Sequence, residues 1–212
     1  NEKISRDSRT NYVERDPYQI IVSTFFQEEN PNPLLVGDPG VGKRSLVSLL
    51  AKNINEMNVP ATLIGAQILE IDLLSLVMGS LSKIYMEQFL NSFLAQKGDI
   101  SKTIIYIKNF ENLFFATGSG LAIPLVYNSF RTQLANSNIK YIATCSSDMY
   151  NKLLADNPQF LEGFSVIEVE EPSEAETKEI LHANPVVYGE HKRVLFPSGV
   201  LNYIYARSKD IP

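Results

Sequence analysis

Cysteine occurs once in the chain, at Cys145, so an internal disulfide is excluded and a reducing, cytoplasmic setting is expected. No apolar run is long enough to span a bilayer and no signal-peptide pattern opens the chain, so neither membrane insertion nor secretion is expected. Excess positive charge is also lacking: 19 Lys and Arg stand against 24 Asp and Glu, a formal net charge of -5. Without a cationic field, tight electrostatic binding of nucleic acid is disfavoured. Internal repeats and low-complexity tracts are missing, and the first residue is Asn1 rather than methionine, which suggests a piece of a longer protein. What is present is ordinary for a folded domain. With 44% hydrophobic and 20% charged residues among 212, the chain can build one α/β core and a small appended subdomain.

Residues 1–12 are polar and aperiodic and read as a linker or arm. Between Pro17 and Gln27, Ile20, Ile21, Phe25 and Phe26 recur at near-helical spacing, and Asn30-Pro31-Asn32-Pro33 then forms a turn that no helix crosses. Short apolar runs at Leu34 to Val36, Ile68 to Ile71, Thr103 to Ile107, Ile139 to Ala143 and Val166 to Val169 predict strands. Helical spacing at Leu46 to Ile54, Tyr85 to Gln96, Leu121 to Leu134 and Met149 to Ala155 predicts helices between them. Such alternation implies a parallel five-stranded sheet flanked by helices, placed over residues 13–173. Beyond it, Ser173-Glu174-Ala175-Glu176 has the form of a capping box and Ser198 to Arg207 predicts another helix, so residues 174–212 read as the start of a small helical lid.

The strand at Leu34 runs into Gly37-Asp38-Pro39-Gly40-Val41-Gly42-Lys43, and a helix follows. This is the setting a phosphate-binding loop requires. Its glycines let successive N–H groups turn inward, the helix directs its positive end at the same point, and Lys43 reaches terminal phosphates. A nucleoside phosphate is the natural ligand; the plainer alternative is a turn with a solvated Lys43. The next motif position calls for Ser or Thr as a Mg²⁺ ligand, but here it is Arg44. Ser45 follows, rotated by about 100° on the helix, and does not replace it.

At these residues the chain resembles the AAA+ P-loop NTPases, and within them the first ATPase domain of the Clp unfoldases and disaggregases. Tyr12-Val13-Glu14-Arg15 is similar to the family's adenine-side segment, Pro31-Asn32-Pro33-Leu34 to its strand start, Glu170-Glu171-Pro172-Ser173 to its Ala-Glu-Pro-Ser, and Asp210-Ile211-Pro212 to its Leu-Pro before the last lid helices. The resemblance implies ATP or ADP as ligand, with Gly37 to Arg44 and Val13 as contacts. It implies ring partners, either other AAA+ subunits or remaining domains of the same protein, with neither nucleic acid nor membrane among them. It also shows departures. Where the family's central strand ends in Asp-Glu, this chain has Lys108 and Asn109, although a rival register makes Glu111, two residues beyond Asn109, the base. Where the family carries an arginine finger, Leu161-Glu162-Gly163-Phe164 stands. Ser146 takes the polar sensor position, Leu81-Ser82-Lys83-Ile84 the pore loop without its aromatic, and Gly118-Ser119-Gly120 either a second pore loop or a plain flexible connection.

With base, metal-orienting acid and finger all replaced, the expectation is a pseudo-ATPase that binds nucleotide with little or no hydrolysis. Two alternatives stand beside it: a scaffold that has lost nucleotide, and a working unfoldase module whose missing groups come from other chains. Arg44 and Lys108 replace the two residues that converge on Mg²⁺ in the family. Either they neutralise phosphate in the metal's place, making Mg²⁺ unnecessary, or they pair with Asp38, Glu111 or other acids and leave a collapsed pocket.

Overall fold

The computed structural model describes residues 11–71, 102–111, 139–156, 158–184 and 197–208. Five strands, β1 (Asn32–Val36), β2 (Gln67–Ile71), β3 (Thr103–Ile107), β4 (Lys140–Cys145) and β5 (Phe164–Glu168), form one sheet in the order β2-β3-β4-β1-β5. Every pairing is parallel. The helices among the described residues are α1 (Asp16–Thr24), α2 (Lys43–Asn55), α3 (Ser147–Asp156), α4 (Glu174–Ala183) and α5 (Ser198–Ser208). The helices expected at Tyr85 to Gln96 and Leu121 to Leu134, both pore-loop segments, Asp210 to Pro212 and nearly all of the 1–12 arm lie outside the described residues.

β1 and β3 are buried along their whole length, as befits strands covered on both faces. Alternate residues sort the faces: Leu35, Ile104, Tyr106, Ile142 and Ile167 pack in one cluster with Ile21 and Val22 of α1 and Val47, Leu50 and Ile54 of α2. Each buried aliphatic side chain of this kind contributes roughly 1.5–3 kcal/mol. This cluster anchors α2 to the sheet, and with it the loop that precedes α2.

Strand ends differ from the apolar runs by a residue or two, because pairing rather than hydropathy sets them. β4 extends to Cys145 since Thr144 and Cys145 stay in register with Leu35 and Val36. β5 starts at Phe164, opposite Asn32. That β1 begins inside the predicted Asn-Pro turn has a cause in Asn32, a buried residue. Its amide donates to the Gly163 carbonyl at 3.0 Å and accepts from the Tyr141 N–H at 2.9 Å, tying β5 and β4 together where Pro33 has no N–H to offer. The capping box is present at α4: the Glu176 N–H donates to the Ser173 hydroxyl at 3.3 Å and the Ser173 N–H to the Glu176 carboxylate at 2.8 Å. No helix among the described residues is long and apolar enough to cross a membrane.

Candidate functional site

The carboxyl ends of β1, β4 and β3 lie side by side, at the edge of a parallel sheet where ligands bind. The loop leaves β1 along its neighbour, with the Gly37 N–H donating to the Cys145 carbonyl at 3.3 Å. Gly42, the N-cap of α2, has φ 100°, a left-handed value that glycine adopts without strain and that lets the helix begin at Lys43. The Lys43 ammonium folds back onto the loop, donating to the Gly37 carbonyl and, at 2.8 Å, to the Asp38 carbonyl. Burial pulls its pKa below the ordinary lysine value, against the opposing pull of Glu111, Cys145 and Asp38.

Arg44 turns away toward the β2 side of the sheet, its guanidinium donating to the Glu70 carboxylate at 3.1 Å. The acid it meets is neither Asp38 nor Glu111. The side chains are 49% and 28% exposed, so the pair is worth at most about 1 kcal/mol and holds Arg44 only loosely. Ser45, one step along α2, lines a different wall of the site.

Past β3, Lys108 is exposed and Asn109 takes φ 50°, a left-handed conformation that Asn tolerates better than most residues. Two bonds to β4 hold this bend: the Asn109 N–H donates to the Thr144 hydroxyl at 3.2 Å and the Phe110 N–H to the Thr144 carbonyl at 2.8 Å. Phe110 is fully buried, its ring edge-on to Phe164 with centroids 5.1 Å apart. The bend carries Glu111 to the end of β4, where its carboxylate faces the Cys145 thiol and acts on Lys43. Burial, aided by this carboxylate, pushes the thiol up to about 12. One Glu111 oxygen, Oε2, is buried and has no hydrogen-bond partner among the described residues. Ser146 follows Cys145, its carbonyl accepting the Tyr150 N–H at 2.9 Å as α3 begins.

Beside the loop lies a cavity of about 440 Å³, walled by Tyr12 and Val13 ahead of α1, Val41 and Leu46 of the loop and α2, and Ile180 and Leu181 of α4. Its apolar walls suit a flat aromatic base, and its position continues from the phosphate loop. Arg15 ties the three walls together. Its side chain, 8% exposed, donates to the Val41 carbonyl at 2.9 Å, to the Glu170 carbonyl at 2.7 Å and to the Glu176 carboxylate at 3.1 Å. At the far end the Asn184 amide pairs with the Asn11 backbone, accepting its N–H at 2.7 Å and donating to its carbonyl at 2.8 Å. Arg15 and Glu176 stood within motifs legible in the sequence, but nothing there linked them. Asn11, Asn184 and Glu70 gave no signal at all.

Gly37 to Arg44, Lys108, Asn109 and Ser146 thus gather at one edge of the sheet, with Val13 in the adjoining wall. Glu162 and Gly163 do not join them. They precede β5, beside the start of β1, at the opposite edge. Gly163 has φ 88°, a conformation an arginine would adopt only under strain.

The sheet order, the glycine loop between β1 and α2 and the lysine that opens α2 define a P-loop nucleotide-binding domain of the AAA+ class. Residues 33–163 match the ATPase family associated with various cellular activities (AAA), and the chain belongs to that family, as a domain of the Clp type. It is 34% identical to the chaperone protein ClpB of Aquifex aeolicus (strain VF5) over 170 residues, 79% of this chain and 16% of that protein. With heat shock protein 104 of Schizosaccharomyces pombe (strain 972 / ATCC 24843) it shares 30% identity over 204 residues, 93% of this chain and 22% of the relative. The fold is also that of a Saccharomyces cerevisiae Hsp104:casein complex in its extended conformation, with a TM-score of 0.80, 25% identity and coverage of 98% of this chain and 35% of the other. The chain therefore spans less than a quarter of the length of these two curated relatives.

Proposed function

We propose that the chain is a Clp-like AAA+ domain that binds ATP or ADP with little or no hydrolysis and serves a structural or regulatory role in a larger, ring-forming protein. The observation that carries this reading is an intact phosphate loop, ending in Lys43, set beside positions where Arg44, Lys108 and Asn109 replace the groups of metal binding and water activation. Affinity depends on the cradle and lysine, whereas turnover depends on the groups that are gone. In this reading residues 13–173 form the large subdomain and residues 174–212 the start of the lid. Other AAA+ subunits or further domains of the same protein are the partners, and the cytoplasm is the location.

Magnesium needs near-octahedral oxygen coordination, and Arg44 and Lys108 offer cations instead of a hydroxyl and a carboxylate. These residues do not fit the ion, so nucleotide binding is independent of it. Arg44 leaves its exposed pair with Glu70 to reach phosphate at little cost. The scaffold reading draws support from the same Arg44–Glu70 pair and from Lys43 bonded to its own loop.

Titration calorimetry with ADP and ATP, with and without Mg²⁺, tests the proposal alongside a phosphate-release assay. Binding that survives removal of Mg²⁺, weakens in Arg44→Thr and falls roughly 10- to 100-fold in Lys43→Ala is expected, with no phosphate release above background. Binding that appears only with Mg²⁺ would refute metal independence, and absence of binding in all conditions would favour the scaffold. Turnover near 1 s⁻¹, the order of a typical enzyme, lost in Lys43→Ala, would refute the pseudoenzyme.

A further inference from the structure

The bend after β3 places a carboxylate at the end of β4, close enough to act on Lys43, without pairing it fully. Asn109 in its left-handed conformation and the two bonds to Thr144 fix the backbone, and Phe110 is locked beneath the sheet. Glu111 is thereby held at the end of β4, next to the residue whose carbonyl accepts the Gly37 N–H of the loop. Its Oε2 is buried with no hydrogen-bond partner among the described residues. The cation that acts on it is Lys43, itself bonded to two loop carbonyls; the Arg44 charge is directed at Glu70, and Lys108 is exposed.

A phosphate loop cradles the α- and β-phosphates with its N–H groups, and its lysine spans the β- and γ-phosphates. The γ-phosphate is thus the group that projects past the loop toward the strand ends, where Glu111 stands. We infer that Glu111 makes this site select nucleoside diphosphate over triphosphate, by setting a fixed negative charge against the γ-phosphate. The inference rests on the nucleotide-binding reading above and specifies which nucleotide the site retains. A diphosphate leaves Glu111 undisturbed at the side of Lys43. A triphosphate brings more negative charge against a carboxylate with one oxygen shut off from water, a like-charge contact worth about tenfold in affinity.

The test is calorimetry of the full chain with ADP and with ATP, each with and without Mg²⁺, for the native protein, Glu111→Gln and Glu111→Asp. The native protein is expected to bind ADP about tenfold more tightly than ATP. Glu111→Gln, of the same shape but uncharged, should raise ATP affinity about tenfold and change ADP affinity less than about threefold, while Glu111→Asp keeps the preference. Equal shifts for both nucleotides, or none, would overturn the role of Glu111 while leaving nucleotide binding intact. An ATP preference that needs Mg²⁺ and vanishes in Glu111→Gln would overturn it too, by showing the carboxylate to be a metal ligand. If neither nucleotide binds the native protein, the nucleotide reading itself fails and the selectivity with it.

Discussion

Lys43 and Arg44 are neighbours of the same charge with opposite surroundings. Lys43 is held by two carbonyls of its own loop, so a phosphate need only displace bonds that water can remake. A charge-assisted bond to phosphate is worth about 1.5–3 kcal/mol net, so Lys43→Ala should weaken nucleotide binding roughly 10- to 100-fold. The melting temperature of the nucleotide-free protein should move by less than about 2 °C, because the lost bonds are those of a half-exposed side chain. Calorimetry and a thermal melt check both halves. The glycine loop and its lysine were legible because their backbone demands restrict residue type. The Arg44–Glu70 pair was not, since 26 residues separate its members and any exposed acid on the β2 side would have served.

At the scale of elements, α4 is fastened to the loop by one guanidinium. Replacing Arg15 with Ala strands the Val41 and Glu170 carbonyls and the Glu176 carboxylate, a loss of about 2–4 kcal/mol that denaturant unfolding would register. Arg15→Lys should cost nearly as much, because an ammonium cannot span three acceptors in a planar fork. The same contacts predict a pH effect. The Ser173 hydroxyl and N–H, then Arg15, hold the Glu176 carboxyl below its ordinary value. A depressed carboxyl stabilises the fold above the unfolded value of about 4.3, and that contribution is lost as pH falls through the folded value. The thermal midpoint should therefore drop as pH falls below about 4.3 toward the folded value, and drop less in Glu176→Gln. The α4 start was readable from Ser173 and Glu176, three residues apart, whereas its docking partner lay 161 residues away and beyond any local pattern.

For the whole molecule, the alternation of apolar runs announced the parallel sheet, whereas the order of its strands is set by pairing that periodicity does not encode. The cavity wall was hidden for a different reason: it is assembled from the arm, the loop and α4, which no single window of sequence contains. That assembly also sets the order of events in time. The Asn11–Asn184 and Arg15–Glu176 contacts close loops of 173 and 161 residues, so their entropy must be met before their bonds repay it. β1 already pairs with β4 and β5 across comparably long loops, so loop length alone does not order these events, and we predict from the peripheral place of the arm and α4 that the base cavity is completed on the native side of the folding barrier. A nucleotide bound there stabilises the final state and leaves the barrier to folding untouched. In stopped-flow experiments, saturating ADP should accordingly slow unfolding by the full factor of its stabilisation, about 100-fold at a concentration 100 times Kd, and leave the refolding rate unchanged. The ligand would act as a brake on losing the fold and contribute nothing to finding it.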